Sequence, residues 1–281
     1  MRRSNSPSSP AVKLLKAAKK LASEGNLEGA LAKSQEALQA DATLTEAYQL
    51  LGSLLDVSGH SDKALEVYEK GLLKAQKPGA LHHSIGMIYL EKNKTKKALS
   101  ALLRANELVR PPRADLKADV AYTYLLLGNY NSGLEFSKQA IDLNPKSFAA
   151  QYTHGEALFR SEKFDEASKA FGKAVSISPK EISAKRRQAQ ALHKAGELIP
   201  AKNILHKLVE ANPKDIKSLI LLAGTLVELK DYVSAVTKME TAASLAPTNV
   251  QILKLLAHTY QQAGHKKKAK QTKKKINKLE K

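Results

Sequence analysis

Small residues recur every 34 positions along this 281-residue chain. Units begin at Ala11, Thr45 and Gly79, then at Ala114 after the single extra residue Arg113, then at Phe148, Ile182, Ile216 and Val250. The eighth position of successive units reads Ala18, Gly52, Gly86, Ala121, Gly155, Ala189, Ala223, Ala257, and the twentieth is Gly133 once and Ala otherwise. A period of this length marks a stack of supersecondary units, each of which buries its apolar face on its neighbours. Chain length then counts repeats and does not set a number of globular domains.

Each unit holds two helix-periodic segments joined by a polar turn. In the fifth unit they run near Ala149–Arg160 and Phe164–Ile177. Tyr152, Gly155 and Phe159 make one stripe, and Ala167, Ala170, Phe171 and Ala174 make another. Gly or Ala at the crossing points lets two helices of a hairpin approach closely. Turns within the hairpins carry Gly25, Gly59, Gly128, Gly196 and Gly264, suited to a helix end that needs positive φ. Asn144-Pro145, Ser178-Pro179, Asn212-Pro213 and Ala246-Pro247 stop the second helices, because proline cannot continue one. The chain reads as all-α, with no strands.

Leu51-Gly52, Tyr68, Ala140, Phe171, Ala174 and the four prolines sit where the tetratricopeptide repeat family places them, so residues 11 to 281 resemble that family. The chain departs from the family pattern in having no Trp, so that the fourth position is Tyr48 once and otherwise Leu or polar. The resemblance implies a right-handed α-α superhelix, a solenoid of about eight hairpins, with first helices lining the concave side. The expected organisation is a tail over 1–10 and one solenoid over 11–281. Its units are 11–44, 45–78, 79–112, 114–147, 148–181, 182–215, 216–249 and 250–281.

Charge is unevenly spread. The formal total is +19, yet residues 1–20 contain six basic residues and no acid, and residues 265–281 contain nine lysines against Glu280. The C-terminal segment places Ala269, Thr272, Ile276 and Leu279 on one narrow helical stripe and lysines elsewhere, including Lys273 where inner units carry Tyr68, Phe171 or Met239. It reads as the second helix of a capping unit. Solvation of an exposed end explains its polarity. A single sign of charge also makes Lys266, Lys267, Lys268, Lys270, Lys273, Lys274 and Lys275 a basic docking surface for phosphates or acidic protein.

Cysteine is absent, so disulfides and thiolate chemistry are excluded. No apolar run approaches the roughly 18 residues of a membrane span, and no signal-peptide core is evident; the expectation is a cytoplasmic protein, with a nuclear one the variant. The eight histidines form no chelating pattern, and no phosphate-binding glycine motif follows a strand. No enzyme, cofactor or metal is expected.

The resemblance implies that positions two, five, six, nine, twelve and thirteen of each first helix face the groove. The lysine–asparagine clamp with which one subgroup holds chaperone tails is missing: the first unit has Leu15 and Lys19, and the second has Leu50. What the groove offers is Asp119 and Tyr122, then Tyr152 and Glu156, then Arg186, Arg187 and Gln190. Two readings stay open. Acid, aromatic and base in succession suit an extended peptide or amphipathic helix. Equally, the aromatics are part of the core and Asp and Arg pair between neighbouring units. The expected function is a non-enzymatic scaffold or adaptor that binds partner protein segments in the groove, with basic ends docking an acidic partner, as one member of a larger complex. The alternative is a nucleic-acid or ribonucleoprotein associate anchored by the lysine-rich helix.

Overall fold

The structure, a computed structural model, describes residues 9–280, and these form sixteen helices and no strand. The chain divides after Pro145 into two compact bodies. The first holds four hairpins: α1 (Pro10–Ser23) with α2 (Leu27–Ala40), α3 (Thr45–Val57) with α4 (Ser61–Leu72), α5 (Gly79–Glu91) with α6 (Thr95–Leu108), and α7 (Ala114–Leu126) with α8 (Tyr130–Leu143). The second holds α9 (Phe148–Arg160) with α10 (Phe164–Ile177), α11 (Ile182–Lys194) with α12 (Leu198–Ala211), α13 (Ile216–Glu228) with α14 (Tyr232–Leu245), and α15 (Val250–Gln262) with α16 (Lys266–Leu279). Within each body, helices pack on their chain neighbours. First helices of successive hairpins also touch, as α3 does α5 and α11 does α13.

Local chemistry sets the helix ends. Asn26, Asn129, Ser147, Asp215, Asp231 and Asn249 accept from backbone N–H groups of the first turn, satisfying donors that have no partner inside the helix. Ser9 caps α1 and Pro10 is its first residue, so helical structure begins one residue ahead of the repeat count. The remainder of the expected tail, including Ser6-Pro7, lies outside the described residues. The five turn glycines lie at φ between +76° and +85°. Asn93, Glu162 and Lys230 fill the same left-handed position in the third, fifth and seventh units, where the sequence carries no glycine to mark it.

The hairpins close by an exchange of size between two positions. A Cβ on Gly86 would stand 2.6 Å from Leu102 Cγ, and one on Gly155 2.7 Å from Phe171 Cε1; Gly52 meets the ring of Tyr68 in the same way. Glycine at the eighth position thus gives room to a bulky residue at the twenty-fourth. Units with Ala at the eighth position carry Ser34, Ser137, Leu205, Met239 and Lys273 there, none of them aromatic. Gly71 does the equivalent work for Tyr48, whose Cγ lies 2.8 Å from the position of an added Cβ.

In the second body one apolar cluster runs from Ala189 and Leu205 through Leu219, Leu222 and Met239 to Ala269 and Ile276. Helix α16 therefore closes that core with Ala269 and Ile276, both buried, while Thr272 is half-buried. Leu279 departs from the expected stripe: it is 40% exposed, because it falls in the last turn, beyond Ile276, the last residue of α16 in the apolar cluster. No described helix is long and apolar enough to cross a membrane.

Gly155→Ala should lower stability by about 1–3 kcal/mol, the usual cost of overpacking. Shortening the opposing ring by Phe171→Leu in the same chain should restore part of the loss; urea unfolding of the single and double variants checks both.

Candidate protein-binding face

Five of the seven residues expected in the groove belong to the second body, on α9 and α11. Arg187 of α11 reaches back to α9, where its Nε and Nη2 both donate to the Glu156 carboxylate. Its Nη1 donates to Gln190 Oε1 at 2.7 Å, and its guanidinium lies 4.4 Å from the Phe159 ring centre. Glu156 and Arg187 are both largely buried. Arg186 points the other way, to α13: its Nη2 donates to Asp215 Oδ2 at 2.7 Å and its Nε to Ser218 Oγ at 3.2 Å. Burial pushes the Asp215 carboxyl up, but bonds from Ser218 and Arg186 outweigh it and hold it below the ordinary aspartate range. Tyr152 packs edge-on against Phe171 and stacks on Phe148.

Asp119 and Tyr122 belong to the first body. Asp119 Oδ2 lies 2.8 Å from His83 Nε2 of α5, and Tyr122 is 45% exposed. Neighbouring Asp115 is pushed up by burial and pulled down further by Arg113, which pairs with it.

The charged residues thus pair between neighbouring units, as one of the two sequence readings expected. These bonds pin adjacent first helices together, and the paired side chains also line the surface between them. Tyr152, Ser183, Arg186, Arg187, Gln190, Lys217, Ile220 and Leu221 line a recess of about 460 Å³. A second recess of about 550 Å³ adjoins it across Ile220 and Leu221 and continues over Gly224, Val227, Leu255 and His258. Together they form a trough across α9, α11, α13 and α15, polar and cationic at one end and apolar at the other. His193 borders it, held by Thr225 Oγ1 at 3.1 Å and Glu228 Oε1 at 3.1 Å.

The sequence reading missed Lys217, Ile220, Leu221 and Leu255. Their signal was present: apolar side chains occupy outward-facing first-helix positions in the seventh and eighth units, where earlier units place Ser84, Asp119 or Arg187.

Of the basic residues on α16, Lys268 is engaged, with Nζ 3.0 Å from Glu240 Oε1 and over the Tyr260 ring. Lys266, Lys267, Lys270, Lys273, Lys274 and Lys275 are exposed, and none has an ion-pair partner among the described residues. Lys266, Lys270 and Lys274 share one row at i, i+4 spacing, a mutually repulsive arrangement.

Comparison with known proteins agrees with this architecture. Residues 45–73 and 80–108 match the model of the tetratricopeptide repeat, and residues 100–174 match that of subunit 3 of the anaphase-promoting complex, or cyclosome. A tetratricopeptide repeat protein from Parabacteroides merdae superposes with a TM-score of 0.61 at 19% identity, over 89% of this chain and 98% of its own. The Cut9–Hcn1 hetero-tetramer of the anaphase-promoting complex gives 0.66 at 14% identity, over 89% of this chain and 53% of that one. YrrB, described as a repeat protein with an unusual peptide-binding site, gives 0.55 at 19% identity, over 66% of this chain and 95% of its own. No curated protein sequence matches the chain. With eight helix hairpins in register and matches of this kind, the chain has the tetratricopeptide repeat fold.

Glu156→Ala should destabilise the second body by roughly 3 kcal/mol, because it strands a largely buried guanidinium, whereas Glu156→Leu with Arg187→Met should be near neutral; urea denaturation separates the two. The Asp215 contribution has a defined sign. A carboxyl held below its unfolded value stabilises above that value and loses the contribution as pH falls through the folded one. Wild type should therefore lose stability more steeply than Asp215→Asn below about pH 4, as read by thermal unfolding against pH.

Proposed function

We propose that the protein is a non-enzymatic scaffold or adaptor that holds a segment of a partner protein against the first helices of the second body. The observation that carries this reading is the trough across α9, α11, α13 and α15, whose apolar floor stays uncovered although Arg186 and Arg187 beside it are already paired. Paired, half-buried charges hold the recess in one shape, so a partner does not meet the cost of ordering it. Tyr152, Arg186, Arg187 and Gln190 form its polar wall. Asp119 and Tyr122 serve a second patch on the first body. The peptide-binding site described for YrrB and the complex described for Cut9–Hcn1 are the kinds of role this fold supports in other proteins.

Helix α16 forms a separate docking face for an acidic partner through Lys266, Lys267, Lys270, Lys273, Lys274 and Lys275. Binding of nucleic acid by the same lysines is the competing reading. It has less support, because α16 carries no aromatic side chain and the neighbouring Tyr260 is buried, so stacking platforms for single strands are missing on that face.

Affinity purification at low and high salt, with and without nuclease, tests the proposal. Arg186→Ala with Lys217→Ala should cost salt-resistant protein partners, while Lys→Gln changes at 266, 270 and 274 should cost only salt-sensitive ones. Retention of every partner by the first variant counts against the trough. Nuclease-sensitive recovery of all partners favours the competing reading, with affinity falling steeply as salt rises.

A further inference from the structure

Thirteen of the fourteen glycines have a local reason. Five sit at positive φ in turns, and for eight more an added Cβ would come within 3.0 Å of another atom. Gly224 is the exception. It lies in the middle of α13, at ordinary helical φ, and a Cβ there would meet nothing within 4 Å. Glycine inside a helix is disfavoured relative to alanine, and nothing in the folded chain needs it at this position.

Its surroundings indicate what does. Gly224 lines the apolar recess, between Ile220 and Leu221 one turn before it and Val227 one turn after. At five of the other eight helical glycines a bulky apolar side chain comes down onto backbone, as Tyr68 does on Gly52 and Phe171 on Gly155. Lys217 lies seven residues before Gly224, two turns along the same face of α13 and about 10 Å away. It is exposed and lines the adjoining recess, where Arg186 and Arg187 are already matched by Asp215 and Glu156. Among the described residues, the uncompensated charge of that recess is thus positive. A second copy of the chain, at a formal +19, fits it poorly.

We propose that Gly224 is the seat for one bulky apolar side chain of an amphipathic partner helix lying along α13, and that this helix carries an acidic residue two turns from the seated one, facing Lys217. This rests on the reading of the trough as a partner site and names the partner's chemistry. Glycine at the crossing point allows the close helix approach that α13 otherwise could not offer, and the partner follows the helix-in-groove mode with anchors one and two turns apart.

The test uses the full-length protein and a fluorescein-labelled alanine-based helical peptide bearing Glu, Leu and Phe on one face, with Phe two turns from Glu. A control peptide has Lys in place of Glu. Fluorescence anisotropy should show the acidic peptide binding wild type and the control binding more weakly. Gly224→Leu, which fills the seat, should weaken binding more than about tenfold, as expected for loss of a buried aromatic anchor. Gly224→Ala should raise the melting temperature, and Gly224→Leu should melt no lower than wild type, so loss of binding by the latter is not loss of fold. Equal binding by wild type and Gly224→Leu overturns the seat. If Lys217→Glu then still abolishes binding, the trough reading survives without it; if neither variant matters, both fail. Absence of binding to wild type, or equal binding of the two peptides, overturns the proposal as well.

Discussion

Close approach of the two helices within each hairpin is the constraint on which the structure depends. Two helices settle into one another only where side chains at the crossing are short, and the protein meets this with Gly or Ala at two positions of each unit. The second partner in the exchange matters as much. Tyr68, Leu102 and Phe171 lie over Gly52, Gly86 and Gly155, so that space vacated by one helix is filled by the other. Each hairpin then presents an apolar face to the next, and in the second body these faces merge into one cluster from Ala189 to Ile276.

With the core supplied by small and bulky residues in alternation, charges are left to a different task. Arg187 with Glu156, Arg186 with Asp215 and His83 with Asp119 each join first helices of neighbouring units. Such pairs are weak sources of stability when buried, since desolvation offsets attraction. Their effect is positional: they fix the spacing of first helices and so the shape of the surface between them. The trough in the second body takes its walls from these pairs and its floor from Ile220, Leu221, Gly224 and Leu255.

The C-terminal hairpin shows how one repeat is altered to face water. Ala269 and Ile276 keep the contacts that close the core, and Lys273 stands where inner units carry Tyr68, Phe171 or Met239. Lys268 is drawn aside by Glu240 and Tyr260, leaving the other lysines of the helix as a face of one sign.

The period, the helix hairpins, the turn glycines and the closing prolines were all legible in the sequence, because each follows from local chemistry repeated in register. The candidate site was legible only by position. Sequence placed Arg186, Arg187, Glu156 and Asp119 on outward faces, and left open whether they would meet a partner or each other. Tertiary structure decided which of them pair, since an ion pair depends on which residue lies opposite in the next unit, and residues 31 apart, such as Glu156 and Arg187, carry no local mark of their meeting. The same holds for Gly224. In sequence it is one more glycine in a helix, and only the packed neighbours, which crowd every other helical glycine, leave it with empty space above its backbone.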